Sequence, residues 1–269
     1  MKTSKRLTRV MGAILLGMVA LSLASCGKNG GTVDVEKLKK GKPAPETDFE
    51  TELTEEGNGV IITKYKGSAK NVVIPATIQG LPVVEVGGFS NVCHEIKDGA
   101  AKTVVIPEEV QFIRWEGFFG LENLETVVFP SSLRVIGEGA FKNCTNLKNA
   151  ALNEGLIGIG EEAFADTDIS SVALPKSLRF LDRSVWAGCN NLSEINIPDG
   201  HSVVYLDMGP YEFTDICGSH SFEEFFSGTK INETVALQKL LRDNKTIEPS
   251  LELEMKLINE KYRDLTLWQ

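Results

Sequence analysis

The residues best suited to catalysis lie near the C-terminus, where Asp215, Cys217 and His220 occur within the sequence DICGSH. An imidazole that takes the proton of a neighbouring thiol creates a nucleophile, but this needs a fixed geometry that closeness in sequence does not supply. The other histidines, His94 and His201, are isolated, and no CxxC, HExxH or phosphate-binding glycine pattern occurs. We therefore predict a protein that is not an enzyme and uses no metal or cofactor. An enzyme that uses Cys217 is the alternative.

Cys26 is a second reactive side chain, and it closes an N-terminal segment typical of export. Residues 2–9 are basic, and residues 10–24 are apolar but too short for a comfortable membrane span. The segment ends in LASC, which resembles the bacterial lipobox. That resemblance implies cleavage before Cys26 and lipidation of its thiol, with more than one acyl chain needed for stable anchoring. We predict a lipoprotein signal peptide over residues 1–25; an ordinary secretory signal with an incidental cysteine is the alternative.

Four further cysteines remain, Cys93, Cys144, Cys189 and Cys217, and an even number in an exported chain invites a disulfide interpretation. Cys144 and Cys189 occupy equivalent positions two units apart in the repeat described below. At the spacing of adjacent strands they should lie roughly 10 Å apart, beyond the Cα separation of ~4.4–6.8 Å that a disulfide spans. We predict that both are small buried apolar residues. Cys93 and Cys217 would have to join opposite ends of the repeat array.

The charge of the chain excludes one class of partner. The formal net charge is -9, and without residues 1–25 there are 24 basic against 37 acidic residues, a net charge of -13. Such an acidic surface argues against nucleic acid and against electrostatic binding to anionic lipid. It is compatible with basic or neutral protein partners.

A repeated unit of 22–23 residues organises the middle of the chain. Residues 102–192 contain, in order, KTVVIPEEVQFIRWEGFFGLENL, TVVFPSSLRVIGEGAFKNCTNL, NAALNEGLIGIGEEAFADTDI and SVALPKSLRFLDRSVWAGCNNL. A period of this length predicts a solenoid, in which each turn, here called a coil, buries its apolar side against its neighbours. A less regular coil begins at Asn71 and carries an extra loop near residues 97–101. A sixth coil begins as EINIPDG and then loses the pattern.

Apolar residues return at the same slots in every coil. The aromatic slot contains Phe118, Phe141, Phe164 and Trp186. The remaining core slots are filled in successive coils by Val104, Val127, Ala150 and Val172; by Ile106, Phe129, Leu152 and Leu174; by Val110, Leu133, Leu156 and Leu178; by Ile113, Ile136, Ile159 and Leu181; by Leu121, Cys144, Thr167 and Cys189; and by Leu124, Leu147, Ile169 and Leu192. The first two of these slots, for example Val104 and Ile106, lie at positions i and i+2, so their side chains point to the same face of a strand. A proline follows them in most coils and ends the strand.

Strand positions that alternate with the core slots define the surface we call the outer strand row. Its members are Val73, Val105, Val128, Ala151, Ala173 and Asn196. An exposed apolar stripe of this length is a candidate protein-binding surface. Two alternatives stay open: small β-branched residues simply suit an extended strand, or a flanking segment such as the C-terminal helices covers the row. Trp115 and Phe119 lie beside the aromatic slot and are either interface anchors or an overflow of the core.

The ends of the chain depart from the repeat. Residues 26–47 are rich in Gly, Lys and Pro and predict a flexible tether. A β-hairpin is predicted around Asn58 and Gly59, where it would cover the open end of the solenoid. Residues 206–269 are predicted to form a C-terminal cap or helical module, with amphipathic helices over 232–243 and 250–264.

The slots resemble the BspA-type (treponemal-type) leucine-rich repeat, with consensus LxxIxIPxxVxxIGxxAFxxCxxL. Residues 124–147, LETVVFPSSLRVIGEGAFKNCTNL, match it at nearly every position. The resemblance covers residues 48–205; Arg114 and Trp115 depart from it, and so does Asn153, which replaces the usual proline. Together the repeat and the resemblance predict an α+β, mainly β, leucine-rich-repeat solenoid of about six coils with an N-terminal β-hairpin cap and C-terminal helices.

The resemblance also implies a cellular role, although it carries over no binding residue. Members of that family work at the bacterial cell envelope by protein–protein contact, including adhesion to host proteins and to neighbouring cells. The favoured hypothesis is a lipid-anchored protein at the outer membrane or cell surface that binds another protein. The alternative is a periplasm-facing structural or assembly lipoprotein whose C-terminal helices bind an envelope partner.

Overall fold

The computed structural model describes residues 33–88, 100–182, 184–198, 204–206 and 227–231. Several predictions fall on other residues, namely the lipidated Cys26, the Cys217 and His220 pair, the loop near 97–99 and the C-terminal helices, and so lie outside the described residues. Where the chain is described, no helix combines the length and the apolar character needed to cross a membrane.

The described chain begins with helix α1 (Val35–Lys39), which is capped by the Asp34 carboxylate accepting a hydrogen bond from the Lys37 N–H at 3.0 Å. A short 3₁₀ helix, Glu46–Asp48, follows. The composition of this segment predicts a flexible tether, so its local order is a difference between expectation and structure. The tether prediction took account of polarity alone, whereas a side-chain cap needs only one aspartate in the correct position.

Two hydrogen bonds join the same segment to the first coil. The Ala44 N–H donates to the Val73 carbonyl oxygen at 2.8 Å. The Gln79 N–H donates to Oε2 of Glu46 at 2.9 Å. The second half of the predicted tether is therefore attached to the solenoid through the Ala44 main chain and the Glu46 carboxylate.

The predicted N-terminal hairpin is present. Strands β1 (Phe49–Leu53) and β2 (Val60–Tyr65) pair antiparallel, and the Thr54 N–H donates to the Gly59 carbonyl oxygen at 3.0 Å. The loop is longer than a two-residue turn, and Gly57 adopts the left-handed conformation with φ of 65°. The inner face of the hairpin joins the core through Phe49, Val60 and Ile62, so the hairpin covers the N-terminal end of the repeat array.

The predicted strands form a parallel ladder that we call the first ladder. It consists of β3 (Asn71–Val73), β6 (Thr103–Val105), β8 (Thr126–Val128), β10 (Asn149–Ala150), β12 (Ser171–Ala173) and β14 (Glu194–Asn196). Strands β3, β6, β8 and β10 pair in that order, and β12 pairs with β14. Among the described strands, β10 and β12 are not paired with each other. The first ladder is therefore interrupted between the fourth and fifth coils.

A second parallel ladder runs through the isoleucine slot, and the sequence did not predict it. It consists of β5 (Leu81–Val86), β7 (Phe112–Ile113), β9 (Val135–Ile136), β11 (Gly158–Ile159), β13 (Phe180–Asp182) and β15 (Val204–Leu206). It continues the hairpin, because β2 pairs parallel with β5, while the short β4 (Thr77–Ile78) pairs antiparallel with β5. This ladder is unbroken from β5 to β15, so it is the continuous wall of the solenoid.

The core lies between the two ladders and contains the predicted slots. Phe118, Phe141, Phe164 and Trp186 are all at most 1% exposed. The ring of Phe141 stacks between its neighbours, with centroid distances of 4.9 Å to Phe118 and 5.3 Å to Phe164. Stacking of equivalent side chains along the axis confirms the repeat register.

A left-handed residue precedes the aromatic slot by two positions in each coil. Glu116, Gly139, Glu162 and Ser184 have φ angles of 48°, 57°, 52° and 56°. Only Gly139 adopts this conformation without a Cβ penalty. The packing of the coil therefore determines this left-handed turn, since Glu116, Glu162 and Ser184 adopt it although their residue types disfavour it.

A short C-terminal piece packs on the fifth coil. The Gly188 N–H donates to the Ser227 carbonyl oxygen at 2.8 Å, and the Lys230 N–H donates to the Leu192 carbonyl oxygen at 2.7 Å. Ile231 is 9% exposed and joins the core. Residues 227–231 thus satisfy main-chain groups and cover apolar surface at the end of the array.

Candidate functional site

The N-terminal half of the outer strand row is covered. Val105 and Val128 are only 6% and 5% exposed, although they point away from the core. Val73 is half-buried, and a Cβ on Gly41 would lie 2.7 Å from its Cγ2 atom. The interpretation of these three valines as a solvent-facing stripe is therefore wrong. Small β-branched residues look alike in sequence whether their outer face meets solvent or another segment.

The C-terminal half of the row is open. Ala173 and Asn196 are exposed and are directly paired across β12 and β14. Their neighbours Ser171 and Glu194 are also paired and exposed. These four residues, which we call the open strand face, form the accessible part of the predicted surface. Ala151, just after β10, is half-buried.

The interruption between β10 and β12 adjoins the open strand face. Asn153 occupies the position that is proline in most coils, and its Nδ2 donates to the carbonyl oxygens of Phe129 at 2.7 Å and Pro130 at 3.2 Å. Ala150 and Leu152 are half-buried, whereas their equivalents Val127 and Phe129 are 3% exposed. The departure at Asn153 therefore coincides with a locally opened first ladder.

Trp115 and Phe119 occupy different environments. Trp115 is 39% exposed, and it takes the slot that contains Glu138 and Glu161 in the next two coils. Phe119 is half-buried, and Phe118 fills the aromatic slot completely. Trp115 therefore lies outside the aromatic slot and is the more accessible of the two candidate anchors.

Carboxylates in the turns have a structural role, because they accept hydrogen bonds from the next coil. Both the N–H and the hydroxyl of Ser131 donate to Oε2 of Glu108 at 2.8 Å, and Lys39 Nζ lies 3.1 Å from Oε1. Burial raises the pKa of Glu108, but the bonds from Ser131 and the Lys39 ammonium outweigh it and hold the pKa below its usual value. Glu154 accepts bonds from the N–H groups of the fifth coil in the same way. These glutamates join neighbouring coils.

Glu85 was not identified from the sequence, and it is the most unusual ionisable group in the described chain. It lies on β5, is 2% exposed, and its Oε1 is 3.0 Å from Nε of Arg114. Burial raises its pKa to about 7; Arg114 opposes this shift, and the carboxylate of Glu52 adds to it. The signal available in the sequence was Arg114 at a position that is usually glycine, since an arginine placed against the neighbouring coil needs an anionic partner.

This pair predicts a specific pH dependence. The Glu85 carboxyl has a higher pKa in the folded chain, about 7, than its ordinary value of 4.5, so the folded state binds its proton more tightly. The stabilisation that the folded state gains by holding this proton is complete below pH 4.5 and is lost as the pH rises through 7. In urea unfolding, we expect Glu85→Gln to become progressively more stable relative to wild type from about pH 5 to about pH 8. Exposed Glu109→Gln is the control, and a pH-independent difference for Glu85→Gln would contradict the prediction.

The two described cysteines are free and buried. Their thiols donate to the carbonyl oxygen of the aromatic-slot residue one coil earlier, Cys144 to Phe118 and Cys189 to Phe164, both at 3.1 Å. Burial raises the pKa of Cys144 to about 12 and also raises that of Cys189. These thiols are therefore packing groups and poor nucleophiles.

Acidic side chains also gather around the left-handed turns, but they do not form a metal site. Burial raises the pKa of Glu138, and the carboxylates of Glu161, Glu116 and Glu162 raise it further. Lys142 forms an ion pair with Glu162 within the group. In the described ranges, no three His, Cys, Asp or Glu side chains are arranged to hold a metal ion.

The geometry above agrees with comparisons to known proteins. The profile of the family described as "BspA type Leucine rich repeat region" matches residues 96–215 in six copies. No curated protein matches the chain.

Solved structures give the same fold. The Treponema pallidum leucine-rich-repeat protein TpLRR is 28% identical with a TM-score of 0.51, covering 61% of this chain and 86% of that one. A leucine-rich-repeat protein from Bacteroides ovatus is 24% identical with a TM-score of 0.50, covering 59% of this chain and 42% of that one. A leucine-rich cell surface protein from Faecalibacterium prausnitzii is 24% identical with a TM-score of 0.51, covering 61% and 45%. This chain therefore spans less than half of the last two.

Proposed function

Because six copies of the BspA-type leucine-rich-repeat model match residues 96–215 of this chain, we propose that it is a bacterial cell-envelope lipoprotein whose solenoid binds another protein, with adhesion to host or neighbouring-cell proteins as its role. The repeat fold is in general a protein-interaction scaffold. The comparison with a leucine-rich cell surface protein supports an envelope location. The LASC sequence, which resembles a lipobox, supports lipid attachment at Cys26.

The observation that supports the binding role most directly is the open strand face. Ser171, Ala173, Glu194 and Asn196 are exposed on paired, regular strands, so their backbone is held in place before any partner arrives. A rigid surface loses little conformational entropy on binding. Trp115 is a second proposed contact, since exposed tryptophans often contribute strongly to interfaces.

Binding through the open strand face can be tested with arginine substitutions. Purified protein is applied to an immobilised preparation of extracellular-matrix proteins, and binding is compared between wild type, Ala173→Arg and Thr145→Arg. Thr145 is exposed in a turn outside both ladders and is the matched control. We expect binding by wild type and by Thr145→Arg, and a loss of at least about tenfold for Ala173→Arg. Equal binding by all three would overturn the use of this face.

The anchor and its orientation need separate measurements. Labelled palmitate should be incorporated by wild type and by Cys93→Ser but not by Cys26→Ser. Protease added to intact cells should remove the protein. Complete protection from the protease would favour the periplasm-facing alternative, in which the partner is an envelope protein.

A further inference from the structure

The outer edge of the hairpin is an open sheet edge among the described strands. In the described part of the chain, β1 pairs only with β2, and it is the terminal strand of the sheet that contains the second ladder. In an antiparallel pair, the N–H and C=O groups of successive residues point alternately toward the partner strand and away from it. Because the Thr54 N–H donates to Gly59, the main-chain groups of Leu53 and Thr51 point away from β2. Such an edge has the hydrogen-bonding pattern that accepts an additional strand.

The side chains on this edge include both charged residues and an exposed apolar residue. Charged residues commonly prevent unwanted pairing, and Glu50 and Glu52 are exposed here. Leu53, however, is 62% exposed on the same strand. An exposed leucine next to unpaired main-chain groups promotes association. The edge therefore offers an apolar contact, and its glutamates disfavour acidic partners.

The charge of the edge selects the partner. Glu52, Glu55 and Glu56 have no ion pair among the described residues, and Glu50 has only Lys66, whose Nζ is 3.6 Å from Oε1 with both side chains about half exposed. A second copy of β1 would place carboxylates opposite carboxylates, which is unfavourable across strands. A segment with Lys or Arg at alternate positions would instead meet opposite charges.

We propose that β1 binds an extended basic segment of a partner protein, which adds as a strand to the sheet of the second ladder with an apolar side chain against Leu53. This rests on the proposed protein-binding role but uses a surface separate from the open strand face. Either site can therefore fail in experiment without the other.

The test uses the purified protein and dye-labelled peptides of about eight residues, measured by fluorescence anisotropy. One peptide alternates Lys with Val or Thr, a second replaces each Lys with Glu, and a third carries a central proline in the basic sequence. We expect saturable binding of the first peptide only. Binding of the proline peptide at equal strength would show that charge alone is recognised and would overturn strand addition.

Variants assign the binding to β1. Glu52→Lys should weaken binding of the basic peptide at least about tenfold, and Leu53→Ala should weaken it without changing the charge. Glu122→Lys, at an exposed turn residue outside both ladders and outside the open strand face, is the matched charge control and should bind like wild type. Equal binding of the basic peptide by Glu52→Lys and wild type would overturn the proposal. So would dimerisation of the wild-type protein that Glu52→Lys changes, because it would identify a second copy as the occupant of the edge.

Discussion

Replacement of Phe141 with alanine is expected to lower the free energy of unfolding by about 3–5 kcal/mol. The ring is fully buried, stacks against Phe118 and Phe164, and meets the edge of Phe129 at a centroid distance of 5.7 Å. Neighbours on both sides belong to other coils, whose backbones are held by the second ladder and cannot close the cavity. Urea unfolding followed by circular dichroism gives the difference.

The control for this variant is Leu53→Ala, because Leu53 is 62% exposed and should change stability by no more than about 0.5 kcal/mol. If Phe141→Ala lost less than about 1 kcal/mol, the aromatic slot would not be the centre of the core. A broad transition in place of a cooperative one would support the nearest-neighbour energetics of a solenoid, since the damage would divide the array into two parts.

Two glycines, one that begins β11 and one that directly follows it, should respond in opposite ways to alanine. A Cβ on Gly160 would lie 2.6 Å from the Glu138 nitrogen and 2.9 Å from the Gly137 carbonyl carbon. These are backbone atoms of the preceding coil and cannot rotate away. We expect Gly160→Ala to cost at least about 2–3 kcal/mol.

Gly158→Ala is the matched control. A Cβ at that position would meet side-chain atoms of Phe180 and Val135 at 3.7–4.0 Å, which is ordinary contact. The reduced entropy of the unfolded chain should then make Gly158→Ala neutral or more stable by about 0.4–1 kcal/mol. Thermal unfolding of both variants checks the pair, and equal effects would show that the coils separate enough to admit a methyl group.

The core could be predicted from sequence because each slot recurs many times. One phenylalanine such as Phe141 does not indicate where it packs. Its equivalents recur at nearly equal spacing, however, and this predicts that all four are buried in one slot: Phe118, Phe141, Phe164 and Trp186. The same logic placed Cys144 and Cys189 in one slot and kept them from being paired. Repetition therefore supplied the long-range information that a single strand lacks.

The second ladder could not be predicted in that way. Strands such as β9 and β11 contain two residues each, too few for an alternating pattern to appear. Gly137 and Gly160 directly follow these strands, and the backbone of the preceding coil packs so closely on them that a Cβ would not fit. Pairing with neighbouring coils, and not local propensity, creates these strands.

Exposure of the candidate site was the least predictable property. Val105 and Ala173 occupy the same row and both suit a strand, yet one is buried and the other is exposed. At the start of the same row, Val73 is approached by Gly41, a residue distant in sequence, which an alternating pattern does not reveal. Leu53 and Glu85 were missed for the same reason, since an open edge and a buried ion pair depend on the complete sheet.

The unpaired step between β10 and β12 has a mechanical consequence. Hydrogen bonds between coils run along the solenoid axis, so a pulling force applied between its two ends loads them in tension and tends to break them coil by coil. At most steps two walls share this load. Between the fourth and fifth coils, the described residues oppose it through the β11–β13 wall, the turn contacts and the core, without a first-ladder pair. An adhesive protein pulled from both ends would then begin to hinge open at this step, next to the surface proposed to hold its partner.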